Sequence, residues 1–280
     1  MAHMEGTDWV DHVRLVFDQA GDQEWERLES SVRDRVSLEI HRRFLARQVH
    51  AGDRVLEVGA GPGRFTLELA ALGAHVVVTD LSPVQLALNA GRLSVTSAEP
   101  SVERRELLDI RDTSRYTSGE FDMVLAYGGP LSYVFEDAED ALRGLLRVIR
   151  PGGLLVASVM SLLGSWRALL PAVLEQAETY GEDANDAVLR TGDLRPVQPV
   201  GHVCQMYRWS GLQSLVARAG GVITDASASG WAGTGDPATL ETLEADPDRW
   251  ARFLDHETDA CRQSGALDGG THLLFAASPG

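Results

Sequence analysis

One stretch near residue 55 limits the fold of this chain more than any other. Residues 55–58 form a short apolar run that contains one acid, Glu57, and glycines follow at alternate positions: Gly59, Gly61 and Gly63. The β-branched residues of the run favour a buried strand, and glycine lets a ligand approach the backbone where a Cβ would collide. A helical pattern starts directly afterwards. The glycines are therefore predicted to form a strand-to-helix turn, at which free N–H groups can hold a polar ligand.

The composition indicates a globular protein with an acidic surface. Of the 280 residues, 44% are hydrophobic, and the formal net charge is −16, with arginine as the only strongly basic residue type. A polyanion repels nucleic-acid phosphates, so a nucleic-acid partner is disfavoured but stays open. No apolar run reaches the roughly 18 residues of a membrane span, and the N-terminus has no signal-peptide pattern. We therefore expect a cytoplasmic protein with no membrane partner.

The two cysteines give no sign of a disulfide framework or a metal site. Cys204 and Cys261 are far apart in the sequence and are not accompanied by further cysteines. Zinc sites and disulfide-rich domains need more cysteines at characteristic spacings. We interpret both as buried or half-buried thiols and expect no bound metal.

Predicted strands and helices alternate between residues 53 and 160. Strands are predicted at 53–58, 74–79, 102–107, 121–126 and 154–160, and helices at 64–72, 137–149 and after a cap at Ser82 followed by Pro83. Such alternation is typical of an open parallel sheet with helices on both faces. Later elements are a helix at 162–176, an irregular polar stretch at 178–199, a helix at 210–219, a strand at 221–228, helical segments at 238–262 and a last strand at 271–277.

The chain divides into a core and its cover. Residues 1–4 are interpreted as an expression scar, 5–52 as an N-terminal helical cap, and 53–160 as the ligand-binding core. Because strands in such sheets end on the ligand face, the segments that follow the fifth and sixth strands should leave from it. Residues 161–209 and 229–270 are therefore expected to form a lid over the substrate, and 210–228 and 271–280 to complete the core sheet.

Acidic residues are predicted at the carboxyl ends of three strands: Glu57, Asp80 and Asp109. Ligands of open α/β sheets bind at this edge. Asp80 follows Gly63 by 17 residues, close to the spacing at which an acid accepts hydrogen bonds from both hydroxyls of a ribose. Two ligand classes fit this arrangement, a nicotinamide or flavin dinucleotide and S-adenosylmethionine.

The glycine spacing and the acid in front of it favour the second ligand. A dinucleotide turn usually reads G-x-G-x-x-G, whereas this chain has Gly59-x-Gly61-x-Gly63. A carboxylate at Glu57 would repel a pyrophosphate, but it would not repel a ligand that carries an ammonium and a sulfonium.

Residues 53–160 resemble a class I S-adenosylmethionine-dependent methyltransferase of the domain 11/25 type. Four segments carry the resemblance: 55–63 is similar to the first motif, 80–82 to the motif after strand two, 121–125 to the fourth motif, and 146–153 to the segment before strand five. The resemblance implies a Rossmann-like, seven-stranded, mostly parallel sheet with an antiparallel strand seven, helices on both faces and a helical lid. It also implies S-adenosyl-L-methionine as cofactor and S-adenosyl-L-homocysteine as product.

The resemblance further implies a set of cofactor contacts. The methionine part is expected to lie against Gly59, Ala60 and Gly61, with Glu57 orienting it. The ribose is expected to bind Asp80, and the methyl group to lie beside Tyr127. The adenine is expected to lie between Leu81 on one side and Leu108, Asp109 and Ile110 on the other.

Arg33 is a further cofactor candidate. Some relatives, including those that methylate a carboxymethoxy group on a transfer-RNA wobble uridine, pair an arginine before strand one with the cofactor carboxylate. A guanidinium suits such a bidentate grip. Residues 257–262 and 270–272 also resemble that subgroup weakly. The alternative interpretation of Arg33 is an exposed surface charge.

No motif marks the acceptor side. Four aromatic residues are candidates for substrate binding, with a place in the core as the alternative for each: Tyr133, Trp166, Tyr207 and Trp231. His202 follows a glycine in the irregular stretch and is the candidate general base, whereas His272 is interpreted as structural. A base is needed only when the acceptor atom is protonated.

The expected function is methyl transfer to an O or N atom of a small-molecule acceptor. Such a transfer is an in-line displacement, to which an enzyme contributes mainly by alignment in a dry pocket. The first alternative is a transfer-RNA wobble-uridine carboxyl methyltransferase. The second is a non-catalytic S-adenosylmethionine-binding regulatory protein.

Overall fold

The computed structural model describes residues 9–197 and 202–280. The strands are β1 (Arg54–Val58), β2 (His75–Asp80), β3 (Val102–Leu107), β4 (Phe121–Ala126), β5 (Ile149–Met160), β6 (Gly221–Ala228) and β7 (His272–Pro279). The α-helices are α1 (Trp9–Ala20), α2 (Gln23–Arg27), α3 (Val32–Ala46), α4 (Arg64–Ala71), α5 (Pro83–Leu93), α6 (Ala138–Arg147), α7 (Leu162–Ala168), α8 (Leu170–Tyr180), α9 (Glu182–Thr191), α10 (Trp209–Arg218), α11 (Pro237–Glu244) and α12 (Pro247–Cys261).

All seven strands belong to one sheet, in the order β3-β2-β1-β4-β5-β7-β6. The pairs among β1 to β5 are parallel, and β7 is antiparallel to both β5 and β6. The predicted Rossmann-like fold, with an antiparallel strand seven, is therefore confirmed. The predicted cap of α5 is also present, because the Ser82 hydroxyl accepts a hydrogen bond from the Gln85 N–H.

Helices cover both faces of the sheet and bury it. One face packs against α6 and α10, with Leu142, Leu145 and Leu212 in its core. The other packs against α3, α4 and α12, whose buried residues include Phe44 and Leu69. Both cysteines are buried free thiols. In the part of the chain that the structure describes, no helix combines the length and apolar character of a membrane span.

Two helical regions differ from the sequence prediction. The stretch expected to be irregular contains α9, which buries only Asn185 and Val188 and therefore has little of the apolar periodicity that predicts a helix. The single helix expected at 162–176 is instead α7 and α8, which meet at Leu169 just before Pro171. Pro171 has no N–H to donate to the carbonyl four residues earlier, so it interrupts a continuous helix and lies instead in the first turn of α8. The expected scar at residues 1–4 lies outside the described residues.

Candidate functional site

Two adjoining cavities lie at the carboxyl ends of the parallel strands. The larger cavity has a volume of about 360 Å³ and is bordered by α2, α3, the turn after β1 and the first residues of β7. The smaller cavity, about 100 Å³, is bordered by α1 and by the ends of β2 and β4. Five residues line both cavities: Glu24, Gly59, Gly61, Tyr127 and Gly128. The two cavities therefore form one site.

Glycine backbone lines the place where the two cavities meet, and at Gly61 and Gly128 no described side chain covers it. Gly61 and Gly128 have φ values of +54° and +79°, and a Cβ built on either would have no neighbouring atom within 4 Å. Such positive φ values favour glycine. Gly59 also has a positive φ, but a Cβ there would lie 2.7 Å from Pro130 Cγ. The glycine turn is thus shaped by its backbone geometry, and Gly61 and Gly128 leave room for a ligand.

Asp80 holds the glycine turn in place from the end of β2. Its Oδ2 accepts a hydrogen bond from Gly61 N at 2.8 Å, and its Oδ1 accepts one from Ser82 N at 2.8 Å. Burial raises the pKa of Asp80 to about 6, while these two bonds act in the opposite direction. Each carboxylate oxygen has more than one lone pair, so both can accept a further hydrogen bond from a ligand in the smaller cavity.

Apolar side chains form the rest of the smaller cavity. Leu81 lies on its wall together with Leu108 and Ile110, so the structure brings together the residues that the sequence predicted around a base. Asp109 is also on this wall, but its Oδ2 accepts hydrogen bonds from Arg111 Nε and Nη2 at 2.8 and 2.6 Å. A planar apolar group fits this part of the site.

Glu57 lies behind the glycine turn, outside the residues that line either cavity. It is 2% exposed, and its Oε2 accepts a hydrogen bond of 2.7 Å from the Thr66 hydroxyl. Burial raises the pKa of Glu57 to about 8, so the carboxyl is mostly protonated at neutral pH. The argument that Glu57 repels a pyrophosphate assumed an ionised carboxylate, so it is a weak reason to prefer S-adenosylmethionine over a dinucleotide. Glu57 instead supports the glycine turn from the protein interior.

Glu57→Gln is expected to make the folded protein more stable at alkaline pH. Between about pH 4.5 and 8 the folded state binds a proton at Glu57 that the unfolded state has released, so stability falls as the pH rises through this window. Glutamine keeps an oxygen for Thr66 and carries no charge. The gain at pH 8.5 should be on the order of 3 kcal/mol. Urea unfolding at pH 5.5 and 8.5 measures this gain in the free energy of unfolding, and Glu241→Gln at an exposed position is the control. If wild type and Glu57→Gln had the same pH dependence of stability, Glu57 would not be a buried carboxyl with a raised pKa.

Two arginines reach the larger cavity from the cap. Arg33, the predicted candidate, lines the cavity and donates from Nε to the Gly235 carbonyl at 2.8 Å. Arg27, which the sequence analysis did not single out, also lines it and is paired with Glu24 through Nη2 at 2.6 Å. Acids and arginines thus alternate on this wall.

Of the four aromatic candidates, only Tyr133 lines either of these two cavities. Trp166, on α7, lines a separate cavity of about 160 Å³ between α7, α8 and α9. Tyr207 lines another cavity beside α10, and its hydroxyl donates to the Leu131 carbonyl at 3.4 Å. Trp231 is 43% exposed and lies 5.7 Å from the Arg167 guanidinium. The structure does not bring these three together with the glycine turn.

The histidines are arranged differently from the expectation. His202 does not line either cavity, and its Nε2 lies 2.6 Å from the Tyr133 hydroxyl. His272, interpreted as structural, does line the larger cavity. So does His41 on α3, which no sequence motif marked. His41 lies between the core residues Ile40 and Phe44, so its sequence context does not separate a cavity wall from a packed interior.

Comparisons with known proteins agree with this geometry. A family model described as a methyltransferase domain matches residues 55–153. Residues 55–153 form a class I S-adenosylmethionine-dependent methyltransferase domain. The ubiquinone biosynthesis O-methyltransferase of Aromatoleum aromaticum is 32% identical over 124 residues, which cover 44% of this chain and 50% of that protein. The chain thus spans about half the length of this curated relative.

Solved structures share the fold of most of the chain. A Haloferax volcanii protein solved with the Trm112 methyltransferase activator covers 95% of this chain and 97% of its own length, with a TM-score of 0.59 and 16% identity. Geranyl diphosphate C-methyltransferase from Streptomyces coelicolor A3(2), solved with S-adenosyl-L-homocysteine, covers 85% of this chain and 76% of its own length, with a TM-score of 0.53 and 16% identity. At these identities the likeness concerns the fold.

The cofactor of the methyltransferase domain is S-adenosyl-L-methionine, and the two cavities fit it. The smaller cavity offers the apolar wall and the Asp80 oxygens that an adenosine requires. Bare backbone at Gly61 and Gly128 leaves room for the chain that joins the ribose to the amino-acid end.

Proposed function

We propose that this protein transfers a methyl group from S-adenosyl-L-methionine to an O or N atom of a small-molecule acceptor. The observation that carries the proposal is that the two cavities share Gly61, Tyr127 and Gly128 in their walls. An adenosine placed against Asp80 and the apolar wall directs the rest of the cofactor toward this junction. The larger cavity, beyond the junction, then receives the acceptor.

The residues of the chain bind and orient both molecules. Bound cofactor supplies an electrophilic methyl group on a sulfonium. Asp80 accepts from the ribose hydroxyls, Leu81 packs against the base, and the backbone of Gly61 lies against the amino-acid part. Tyr127, which is buried at the end of β4, borders the methyl group. These contacts align the methyl carbon with an acceptor atom, which is the main requirement of an in-line displacement.

Arg33 is proposed to pair with the cofactor carboxylate. The support for this role is its place on the wall of the larger cavity, close to the glycine turn. A crystal structure with S-adenosyl-L-homocysteine tests it directly. A carboxylate bound by Arg27 or by backbone N–H groups alone, with Arg33 still on the Gly235 carbonyl, would remove Arg33 from the site.

The cap and the lid segments are proposed to keep the acceptor dry. The larger cavity is bordered by residues of the 5–52 cap, by Ala168 and Leu169 of the 161–209 segment, and by Gly230, Gly233 and Thr234 of the 229–270 segment. A closed cover excludes water from the displacement. The 53–160 core, completed by 210–228 and 271–280, holds the cofactor.

A small acceptor with apolar or aromatic parts suits the larger cavity. Its wall includes Phe65, Tyr127 and Leu169, and its arginines alternate with Glu24 and Asp34. This mixed charge differs from the continuous basic surface that transfer RNA needs. The name of the Aromatoleum relative, a ubiquinone biosynthesis O-methyltransferase, points in the same direction.

The test is turnover of S-adenosyl-L-methionine with a panel of phenols, catechols, carboxylic acids and amines, and with transfer RNA that carries a carboxymethoxy group on its wobble uridine. We expect S-adenosyl-L-homocysteine to form together with a singly methylated small molecule, detected by mass spectrometry. Label found in the RNA instead would favour the wobble-uridine alternative. Tight cofactor binding with no turnover on any member of the panel would favour a regulatory protein.

A further inference from the structure

His41 is held in the wall of the larger cavity with one ring nitrogen committed to its own helix. Its side chain is buried, and Nδ1 lies 2.8 Å from the carbonyl oxygen of Ser37, one turn earlier on α3. A carbonyl oxygen only accepts hydrogen bonds, so Nδ1 must carry the hydrogen. In the neutral ring the lone pair therefore resides on Nε2.

Nothing in the described part of the chain occupies this lone pair. Among the described residues, the His41 ring makes one hydrogen bond, the one from Nδ1, and the ring lines the larger cavity. Burial lowers the pKa of His41 to about 4, and the nearby Arg27 acts in the same direction. The ring is thus neutral at neutral pH, with an acceptor nitrogen available to a ligand.

Aromatic rings fix the orientation of His41 and shield it from water. Tyr127, His272 and Phe65 surround it, with ring centroids at 5.0, 5.7 and 6.0 Å. The Tyr127 hydroxyl also donates to the His41 carbonyl at 3.4 Å, which ties α3 to the end of β4. The charged and titratable groups that share this wall are Glu24, Arg27, Arg33, Asp34, Arg64, Tyr127 and His272.

We propose that His41 is the general base of this site and that Nε2 takes the proton of a hydroxyl acceptor. This inference rests on the proposed methyl transfer. In the step, a lone pair of the acceptor oxygen forms the new bond to the methyl carbon, and the carbon–sulfur bond breaks with its electron pair staying on sulfur. The oxygen–hydrogen bond breaks, and its proton passes to Nε2. The products are a methyl ether, S-adenosyl-L-homocysteine and an imidazolium, which returns the proton to solvent when the products leave.

A weakly basic imidazole suits this role because the total charge inside the cavity is the same before and after the step. Before the step one positive charge is on the sulfonium, and after it one positive charge is on the imidazolium. The net charge of the closed site is unchanged, so the step does not leave an additional charge in a dry cavity. His202 lacks this arrangement, because its Nε2 is already bonded to the Tyr133 hydroxyl.

The state of the ring can be measured without any acceptor. Long-range ¹H–¹⁵N correlation spectra of the full-length protein, assigned with His41→Gln, report the tautomer and the pKa of His41. We expect a neutral ring with hydrogen on Nδ1 from pH 8 down to about pH 5. A ring protonated on Nε2, or charged at pH 7, would overturn the proposal whatever the acceptor is.

Turnover by variants tests the catalytic role. With phenol and catechol members of the panel, His41→Gln is expected to lower kcat by roughly 10²–10⁴-fold while the calorimetric affinity for S-adenosyl-L-homocysteine stays within about twofold. Carboxylate acceptors need no base and should be methylated by the variant as before. Exposed His256→Gln is the matched control, and His202→Gln should lower kcat by less than about tenfold.

The two proposals fail in different ways. Undiminished turnover of hydroxyl acceptors by His41→Gln would reject His41 as the base and leave methyl transfer intact. Cofactor binding without turnover by the wild type would reject the proposed function, and the ring measurement would then decide whether Nε2 is an available acceptor.

Discussion

Asp80→Ala is expected to weaken the binding of S-adenosyl-L-homocysteine by roughly 10- to 150-fold, or about 1.5–3 kcal/mol, as measured by titration calorimetry. The reason is twofold. The variant loses a charged acceptor on the wall of the smaller cavity, and it releases the N–H groups of Gly61 and Ser82 that the carboxylate now holds. Part of the binding free energy of the ligand would then be used to order the glycine turn, which also weakens binding.

Asp109→Ala is the matched comparison for this prediction. Its carboxylate lies on the same cavity wall but is engaged by Arg111, so its loss should cost less than tenfold in affinity. An unchanged affinity in Asp80→Ala, or a larger loss in Asp109→Ala, would show that Asp80 does not hold the ribose.

Glu257→Ala is expected to produce the largest loss of stability. Glu257 is 2% exposed on α12, and its two oxygens accept hydrogen bonds from three backbone N–H groups, those of Trp231, Ala232 and Gly233, at 2.5, 3.0 and 2.8 Å. Alanine would leave these groups without their acceptor. Each unsatisfied buried donor costs about 1–3 kcal/mol, so the free energy of unfolding should fall by on the order of 3 kcal/mol or more.

Urea unfolding measures this loss, and Asp255→Ala serves as its control on the same helix. Asp255 is exposed and pairs with Arg43 at 2.7 Å, so its removal should cost less than about 1 kcal/mol. A Glu257→Ala protein that is as stable as Asp255→Ala would contradict the role. Because Gly233 and Thr234 line the larger cavity, Glu257→Ala should also loosen the acceptor side.

The sequence predicted those features of the site that depend on a few neighbouring residues in the chain. The turn at Gly59 to Gly63 and the acid at Asp80 each follow a strand, and the parallel sheet brings the ends of its strands to one edge. Leu81 and Ile110 lie together for the same reason. Here the fold is sufficient to place the residues, and strand ends can be found in a sequence.

The acceptor side was not predictable in this way because its residues come from distant segments. His41 depends on the packing of α3 against β4 and β7, and Glu257 on a loop 26 residues before it in the chain. Trp166 also depends on distant packing, because it lines a separate cavity between α7, α8 and α9. No spacing rule in the sequence predicts such contacts. Residues 257–262, which resemble the transfer-RNA wobble-uridine subgroup, include Glu257, whose carboxylate binds the loop at 231–233.

The position of β7 has a consequence for how the chain is made. β7 lies between β5 and β6 although it follows both in the sequence, so neither can pair with it until residues 272–279 have been synthesised. Until then β5 is an apolar edge strand on the growing chain, and β6 has no partner in the sheet. Exposed edges of this kind promote association between chains. The sheet is therefore complete only once β7 has formed, and chains that lack β7 should associate with one another more readily than chains that have it.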